Sequence, residues 1–597
     1  MSAAKLRRLQ TDVLILGAGG AGLFAALHAH RAAPQLSITV AVKGLLGKCG
    51  CTRMVQGGYN VALAPGDSVE RHFMDTIEGG KWLADQDLAW TLVNTAVERV
   101  RELENELGCF FDRNPDGSVH QKAFAGQTFD RTVHKGDLTG IEIINRLSEQ
   151  VWARGIDRLE EHRAIELITT ADGSALAGVL MIDMRDGGFI FVQARAVLLA
   201  TGGGPTMYRY HTPSGDKSCD GMAMALRAGL ALRDMEMVQF HPTGLLAGTG
   251  TRMTGTVLEE GLRGAGGHLL NGDKQRFMAS YDAREERATR DIVSRGIFAE
   301  MRAGRTTPNG GVYISMSHLG ADHVRARFKG MVERCADCGF DLAGGLVEVV
   351  PTAHYMMGGV VFRADCSTAL PGLFAAGEDT GGVHGANRLG GNGVANSTVF
   401  GGIAGDSIAA WLQHDGPLRA PDEAAIEASV ARHEAPFRVP PGDLEAVREA
   451  LFDCMWNDVG VLRDADGLAR ALDRLTQLDA QLSKVGVADA DRAFNLTWHD
   501  WINLKNLIAI SRVIARAAQA REDSRGAHYR EDFPQTDDLS SSTYIAVRQR
   551  PEGLQLERLR VDFTRVAPGQ SLLEPETAAI EPASFAAPSS DASRGVA

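Results

Sequence analysis

The sequence predicts an α/β fold, because three features follow one another near its N-terminal end. Residues 13–16 form a short, continuously apolar run typical of a buried strand, and a glycine-rich turn follows directly. The Ala- and Leu-rich segment to about His30 has helical composition, and residues 37–43 are typical of a second strand. Strand, glycine turn, helix and strand in this order form a βαβ unit, which predicts a Rossmann-like dinucleotide-binding domain.

Three glycines of this turn each have a distinct physical role. Gly17 permits the tight turn, Gly19 lets backbone N–H groups approach a pyrophosphate, and Gly22 lets the helix pack closely on the strand. The second strand ends in Lys43 instead of the acidic residue that would hold a ribose hydroxyl, which disfavours NAD. The predicted cofactor contacts of this segment are Gly17, Ala18, Gly19, Gly20, Ala21, Gly22 and Lys43.

Two later segments narrow the predicted cofactor to FAD. Residues 196–204 form a buried-type strand that opens into a glycine turn with Thr201 and Gly202, and residues 372–378 repeat this form with Glu378 at the end. With the first turn, they resemble the three segments by which flavoproteins of the glutathione-reductase-like type enclose FAD. The sequence has no second G-x-G-x-x-G to hold a pyridine nucleotide, which argues against a disulfide reductase or an NAD(P)H oxidoreductase.

Composition excludes several classes of protein. The chain has 597 residues with 44% hydrophobic and 23% charged residues, which is ordinary globular usage, and its net charge of −13 gives no electrostatic reason to bind nucleic acid. Eight scattered cysteines indicate a reducing compartment rather than a disulfide framework. Glycines interrupt the longest apolar stretch, residues 13–29, so it is a poor membrane span. We therefore expect a cytoplasmic protein with no direct membrane span and no nucleic-acid partner.

Five further strings point to one family. They are residues 239–244 (QFHPTG), 260–264 (EGLRG), 290–291 (RD), 354–359 (HYMMGG) and 384–392 (HGANRLGGN). Their order resembles that of the succinate dehydrogenase/fumarate reductase flavoprotein family, which includes L-aspartate oxidase. The resemblance runs from about residue 10 to about residue 535, where residues 524–528 (SRGAH) are similar to a late motif of the family.

The resemblance implies a domain layout. An FAD-binding domain would consist of residues 8–235 and 351–412, with an inserted α+β capping domain at 236–350 that carries the substrate. A helical segment would follow at 420–525, where residues 422–432 and 501–521 have helix-compatible periodicity. Residues 526–597 would form a C-terminal extension whose tail, after residue 567, is rich in Ala, Pro, Ser and Glu and is expected to be disordered.

The resemblance also implies the catalytic groups. Reduction of a carbon–carbon double bond requires a hydride from flavin N5, a proton donor, and stabilisation of charge on a substrate carboxylate. Arg388 suits the bidentate clamping of that carboxylate, aided by His354, and His241 would hold the other end of the substrate. Arg290 is similar to the family's proton-transfer arginine, which Glu260 and Arg263 would resupply. Further cofactor contacts implied by the family are Cys51, Thr52, Gly57, Gly58, Thr201, Gly202, Asp220, Glu378, Gly393 and Val394.

Two departures from the family pattern concern the cofactor and the substrate. Cys51 stands where respiratory members attach FAD to a histidine, so non-covalent FAD is expected in preference to a cysteinyl bond. Glu259 stands where the family has a carboxylate-binding threonine, and the loop before it is longer than usual. Three interpretations are open: Glu259 points away while Thr251 or Arg252 replaces the threonine, Glu259 is protonated, or the substrate carries a neutral or cationic group at that end. The first is slightly favoured.

These observations predict an FAD-dependent oxidoreductase that interconverts a saturated and an α,β-unsaturated carboxylic acid, with succinate/fumarate as the first choice. The alternatives are an L-aspartate-oxidase-like or other carboxylate dehydrogenase or reductase and, from a different class, an electron-transfer flavoprotein subunit without its own substrate. The expected partners are a small carboxylic acid and, for the electrons, a quinone, oxygen or a separate iron–sulfur subunit. Such a subunit would place the protein at the periphery of the inner membrane.

Overall fold

The computed structural model describes residues 6–215, 217–248, 250–414 and 416–574, and it confirms the predicted α/β fold. A seven-stranded mixed sheet forms its centre. In order across the sheet the strands are Asp157–Glu160, Ile38–Val42, Arg7–Leu16, Gly188–Leu199, Leu176–Asp183 and His162–Thr169, and Leu373–Ala375 also pairs with Gly188–Leu199. The first four pair in parallel, whereas the last two are antiparallel to their neighbours.

The strand before the glycine turn is buried on both faces, because Val13, Leu14 and Ile15 are each 0% exposed. The helix Gly20–Ala32 follows it and packs along a second long helix, Asn392–His414. A Cβ atom on Gly401 would lie 2.6 Å from the carbonyl oxygen of Ala21, so glycine permits this close approach. A Cβ on Gly405 would meet the carbonyl oxygen of Ala25 at 2.4 Å in the same way, so the two helices run in the same direction.

Further helices and a small sheet accompany the central sheet. The helices are Val69–Gly79, Gln86–Asn105, Thr139–Ala153 and Asp220–Arg227. A small antiparallel sheet consists of Tyr59–Asn60, Thr132–Val133 and Gln121–Lys122.

A second sheet, of four antiparallel strands, lies in the predicted capping region and its flanks. Its strands, in spatial order, are Val238–Leu245, Leu346–Met356, Val312–Ser315 and His268–Leu270. The helices of this part are Gly261–Gly264, Arg290–Arg302, Ala321–Arg327 and Lys329–Ala336. Apolar side chains between Leu245 and Val349 form a core of their own against this sheet.

Four helices and a hairpin follow in the C-terminal part. The helices are Glu423–Glu434, Leu444–Asp458, Ala465–Leu482 and Leu496–Ala520, which confirms the helices predicted at 422–432 and 501–521. The strands Thr543–Arg550 and Gly553–Arg560 form a hairpin that extends a sheet with Leu232–Arg233 and Gly359–Val360.

The exact domain boundaries remain predictions. Residues 568–574 of the predicted tail contain no helix or strand, and residues 575–597 lie outside the described residues. Within the described ranges, no helix combines the length and the apolar character needed to cross a membrane.

Candidate active site

An extended cavity of about 480 Å³ runs from the edge of the central sheet into the capping region. Its walls contain residues from all three glycine segments and from the strings that carry the predicted catalytic groups. The fold thus brings the predicted cofactor and substrate residues to one continuous cavity.

The first glycine turn forms one wall and leaves room only for backbone. Gly17 has φ +113°, and a Cβ there would lie 2.1 Å from the carbonyl oxygen of Ala200. A Cβ on Gly22 would lie 1.9 Å from the carbonyl oxygen of Gly17. The N–H of Gly20 donates to the Thr52 hydroxyl at 3.1 Å at the start of the helix. Backbone N–H groups and the positive end of the helix dipole make this wall suitable for a diphosphate.

Lys43 and Asp220 form an ion pair at 2.8 Å in the same cavity. Asp220 also accepts from Arg163 at 2.9 Å and from Asn506 at 2.7 Å. Burial opposes ionisation of Asp220, but Arg163 and Lys43 outweigh it and hold the pKa of Asp220 far below its usual value. The lysine at the end of the second strand is therefore balanced by a carboxylate that the sequence places 177 residues away.

The second and third glycine segments are joined by an aspartate that sequence reasoning missed. Asp379 accepts from the backbone N–H of Thr201 at 2.5 Å and of Gly202 at 3.2 Å. The neighbouring Glu378 lines the cavity and accepts from the N–H of Met356 at 3.0 Å. Burial raises the pKa of both carboxyl groups to about 7. The adjacent acidic residues at 378 and 379 are a visible signal, but the family pattern indicates only Glu378.

The second long helix begins at the cavity, where Gly393 and Val394 form part of the wall. Gly57 and Gly58 lie on another wall, where a Cβ on Gly57 would meet the Phe124 ring at 2.4 Å. Cys51 and Thr52 line the cavity beside them. Two helix N-termini, bare glycine backbone and an elongated shape fit an extended dinucleotide such as FAD.

Arg290, Glu260 and Arg263 form a buried chain at the other end of the cavity. Arg290 donates from Nη2 to Glu260 Oε2 at 2.7 Å, and Arg263 donates to Glu260 Oε1 at 3.0 Å. Burial opposes ionisation of Glu260, but Arg290 and Arg263 outweigh it and hold the pKa of Glu260 below its usual value. Burial, the largest cause, lowers the pKa of Arg263. The carboxylate of Glu260 is therefore the shared counter-ion of two guanidinium groups.

Gln239 joins Arg290 to Arg388 and was not predicted as a site residue. Its Oε1 accepts from Arg290 at 3.0 Å and from Arg388 at 3.1 Å, and its Nε2 donates to the Arg388 carbonyl at 2.7 Å. The residue is visible as the first letter of the QFHPTG string, but nothing local indicates that two arginines 98 residues apart in the chain would meet on it.

Arg388 is 6% exposed and lies over the Tyr355 ring, with Cζ 4.2 Å from the ring centroid. Within the described part of the chain, no carboxylate is in ion-pair contact with it, and its Nε is buried without a hydrogen-bond partner. Burial, followed by the charge of Arg290, lowers the pKa of Arg388 to about 10. A buried cation without a counter-ion is a strong site for a ligand carboxylate.

His241 and His354 come from neighbouring strands of the second sheet, with ring centroids 5.4 Å apart. His241 Nδ1 accepts from the N–H of Thr243 at 3.3 Å, which leaves Nε2 to carry the proton. His354 Nδ1 is hydrogen-bonded to the Thr212 hydroxyl at 2.9 Å. Burial, followed by the charge of Arg290, holds the pKa of both rings well below the usual value. Both are therefore neutral polar groups at the cavity wall.

Glu259 lines the cavity and is 8% exposed. Its Oε1 pairs at 2.5 Å with Nζ of Lys122, which lies in the strand Gln121–Lys122 of the small antiparallel sheet. Arg252 is exposed and is not part of the cavity wall, and Thr251 accepts from the N–H of Met253. The favoured interpretation, in which Glu259 turns away and the loop supplies Thr251 or Arg252, stays a prediction, although neither loop residue lines the cavity in this structure. The neutralising group, Lys122, comes from an unrelated segment.

Comparisons with known proteins agree with this geometry. A family model described as FAD binding domain matches residues 12–394, and one described as fumarate reductase flavoprotein C-term matches residues 448–576. One component of the fumarate reductase (CoM/CoB) of Methanothermobacter marburgensis is 40% identical over 88% of this chain and 95% of its own length. The fumarate reductase flavoprotein subunit of Escherichia coli is 34% identical over 97% of this chain and 99% of its own.

Structural similarity is equally extensive. A mutant quinol fumarate reductase FrdA from E. coli superposes with a TM-score of 0.88 at 33% identity, covering 95% of this chain and 99% of that one. These matches confirm FAD as the cofactor and an oxidoreductase as the class of enzyme.

Proposed function

Because the chain belongs to the succinate dehydrogenase/fumarate reductase flavoprotein family, we propose that it interconverts a saturated and an α,β-unsaturated carboxylic acid in a reaction of the succinate/fumarate type. The observation that carries this proposal is the buried guanidinium of Arg388, which has no carboxylate in ion-pair contact within the described ranges and lies at the wall of the cofactor cavity. A carboxylic acid substrate supplies the missing charge.

Charge balance supports an anionic ligand. Arg263, Arg290 and Arg388 are all nine-tenths or more buried, and Glu260 is the carboxylate that two of them contact. His241 and His354 are neutral, so they do not change this charge balance. Because an uncompensated charge is costly to bury, a substrate carboxylate would be held firmly between Arg388 and His354.

The proposed chemistry divides between the cofactor and the protein. FAD, when bound, supplies the hydride for reduction and accepts it in oxidation. Arg388 and His354 hold the carboxylate and stabilise the negative charge that develops on it in the transition state. His241, a neutral donor at Nε2, polarises the opposite side of the substrate.

Arg290 is the proposed proton donor. Its Nη1 and Nη2 are held by Gln239 and Glu260, so the guanidinium has a fixed orientation at the cavity wall. Arginine is a weak acid, but a carbanion beside a carboxylate is basic enough to take its proton. Glu260 would return a proton to Arg290, and Arg263 would exchange with Glu260, since both contacts are hydrogen bonds. In oxidation the same groups would work in reverse.

Two other functions are less well supported. An L-aspartate-oxidase-like enzyme would hold its substrate at the same carboxylate site. An electron-transfer protein without a substrate would have no need for the buried arginine cluster. The proposed electron partner is a separate iron–sulfur subunit that would hold the chain at the periphery of the inner membrane.

Anaerobic flavin spectra would test the proposed function. The photoreduced holoprotein should reoxidise when an α,β-unsaturated acid such as fumarate is added, and the saturated acid should bleach the oxidised flavin. A panel that includes L-aspartate separates the two enzyme functions. Absence of any spectral response to the whole panel would leave the electron-transfer function instead.

A further inference from the structure

Glu259, a residue of the cavity wall, has one carboxylate oxygen that receives no hydrogen bond from the described part of the protein. Lys122 pairs with Oε1 at 2.5 Å from behind the wall, since Lys122 is not itself part of the lining. Among the described residues, Oε2 receives no hydrogen bond from the protein, although the side chain lines the cavity. The wall therefore offers an unused, charged acceptor to whatever occupies the substrate end.

Arg334 places a donor beside this acceptor. The helix Lys329–Ala336 packs on the Glu259 segment, because the N–H of Glu259 donates to Met331 Sδ at 3.4 Å. One turn further along the same helix face, Arg334 lines the cavity and donates from Nη1 to the carbonyl of Val257 at 3.0 Å. Its Nη2 also donates to the side-chain amide oxygen of Gln56, another cavity residue, at 2.8 Å. Arg334 is bonded to a residue only two positions before Glu259, so the two side chains share one region of the cavity wall.

We propose that Glu259 and Arg334 recognise the end of the substrate away from Arg388, and that the natural substrate carries there an uncharged group that both donates and accepts, such as a primary carboxamide. This inference rests on the proposed function, since it concerns the second end of the acid that Arg388 holds. The carboxamide nitrogen would donate to Glu259 Oε2, and its oxygen would accept from Arg334.

Charged groups satisfy only half of this pair. A second carboxylate would accept from Arg334 but would face the negative oxygen of Glu259. An ammonium group would donate to Glu259 but would be repelled by the positive charge of Arg334. At an effective dielectric of about 20, a carboxylate about 4 Å from an unpaired Glu259 would lose about a thousandfold in affinity, and the charge of Lys122 on Oε1 reduces this loss. Contact with Arg334 would return a comparable amount, so the discrimination rests on Glu259 Oε2, a buried acceptor that a carboxylate leaves unpaired and a donor satisfies. A neutral donor and acceptor meets no repulsion from either residue.

The test compares two isosteric acids, fumarate and its monoamide fumaramate, on the FAD-loaded protein. We expect the wild-type protein to reduce fumaramate with the higher kcat/KM. Glu259→Gln should shift the kcat/KM ratio by about tenfold or more towards fumarate, because the repulsive charge is gone and a donor replaces it. Arg334→Gln should move the ratio the other way. The matched control is Glu333→Gln, at an exposed position on the same helix, which should leave the ratio unchanged.

A binding measurement separates this inference from the proposed function. Titration of the oxidised flavin spectrum with succinate and succinamate gives dissociation constants without turnover. Suppose that neither unsaturated acid is reduced, but succinamate binds more tightly than succinate and Glu259→Gln reverses that preference. The proposed reaction is then wrong, whereas the proposed recognition of the substrate by Glu259 is supported. A fumarate-to-fumaramate ratio in Glu259→Gln that stays within about threefold of wild type overturns the inference. Failure of succinamate to bind the wild-type protein overturns it as well.

Discussion

Arg290 donates two hydrogen bonds to one carboxylate oxygen of Glu260, from Nε at 3.1 Å and from Nη2 at 2.7 Å. The other oxygen of Glu260 is occupied by Arg263. This arrangement fixes the plane of the Arg290 guanidinium, which a proton donor needs if it is to reach one face of a substrate. It also places Glu260 where it can return a proton to Arg290 after Arg290 has given one to the substrate.

The first prediction concerns Arg290→Gln. Turnover should fall by about 10²–10⁴-fold, because general acid catalysis is lost, while FAD stays bound. Steady-state rates with fumarate or fumaramate and the flavin-to-protein ratio provide the measurement. Arg302→Gln, at the exposed end of the same helix, is the matched control and should behave as wild type. Activity of Arg290→Gln within about threefold of wild type would remove Arg290 from the mechanism.

The second prediction concerns Gln239, whose oxygen is shared by Arg290 and Arg388. Gln239→Leu removes this acceptor and leaves both guanidinium groups without it, so the orientation of Arg388 should loosen. Because a hydrogen bond to a charged group contributes about 1.5–3 kcal/mol, we expect KM for the acid to rise by about tenfold or more. Kinetics at saturating and limiting substrate separate KM from kcat. An unchanged KM would show that Arg388 does not depend on Gln239.

The third prediction is that FAD is bound without a covalent bond. Cys51 lines the cavity and, from the family resemblance, stands where respiratory members have the linkage histidine, so we expect no histidyl bond. Acid precipitation should release the yellow colour into the supernatant. If flavin fluorescence instead remains with the protein band in a denaturing gel and disappears in Cys51→Ala, a cysteinyl thioether is present.

The fourth prediction concerns the stability that Asp220 provides. Its folded-state pKa is depressed, so its contribution is present above the unfolded pKa of about 3.9 and is lost as the pH falls through the folded value. Asp220→Asn leaves Lys43 and Arg163 without this buried partner and should cost about 3–5 kcal/mol at neutral pH.

Urea unfolding as a function of pH would measure this contribution. Wild-type stability should fall as the pH drops below about 4, whereas Asp220→Asn should show a shallower dependence there. The exposed Asp322→Asn serves as control. A cost below about 1 kcal/mol, with an unchanged pH dependence, would contradict the role of Asp220 as a buried counter-ion.

Local sequence predicted the parts of this molecule that depend on neighbouring residues. The βαβ unit was readable because strand, glycines and helix follow one another, and Gly17 is required by a positive φ and by the close carbonyl of Ala200. Motif strings also led to Arg290, Glu260 and Arg388. Their assigned roles remain to be measured, but all three line the same cavity.

The sequence could not show which residues that are distant in the chain become hydrogen-bond or ion-pair partners. Lys122 and Glu259 are 137 positions apart, and nothing near either residue indicates the other. Asp379 was overlooked because its role depends on backbone N–H groups 178 positions earlier. Such pairings arise only when the chain has folded back on itself, which motif spacing does not describe.

The pairing of Leu373–Ala375 with the strand Gly188–Leu199 has a consequence for how the protein is made. The central sheet cannot be completed until a segment about 174 residues further along has left the ribosome. Because synthesis proceeds at about 5–20 residues per second, this end of the strand Gly188–Leu199 lacks its partner for roughly 10–35 s. We expect the nascent chain to depend on chaperones in this interval, and a chain released before residue 373 should aggregate.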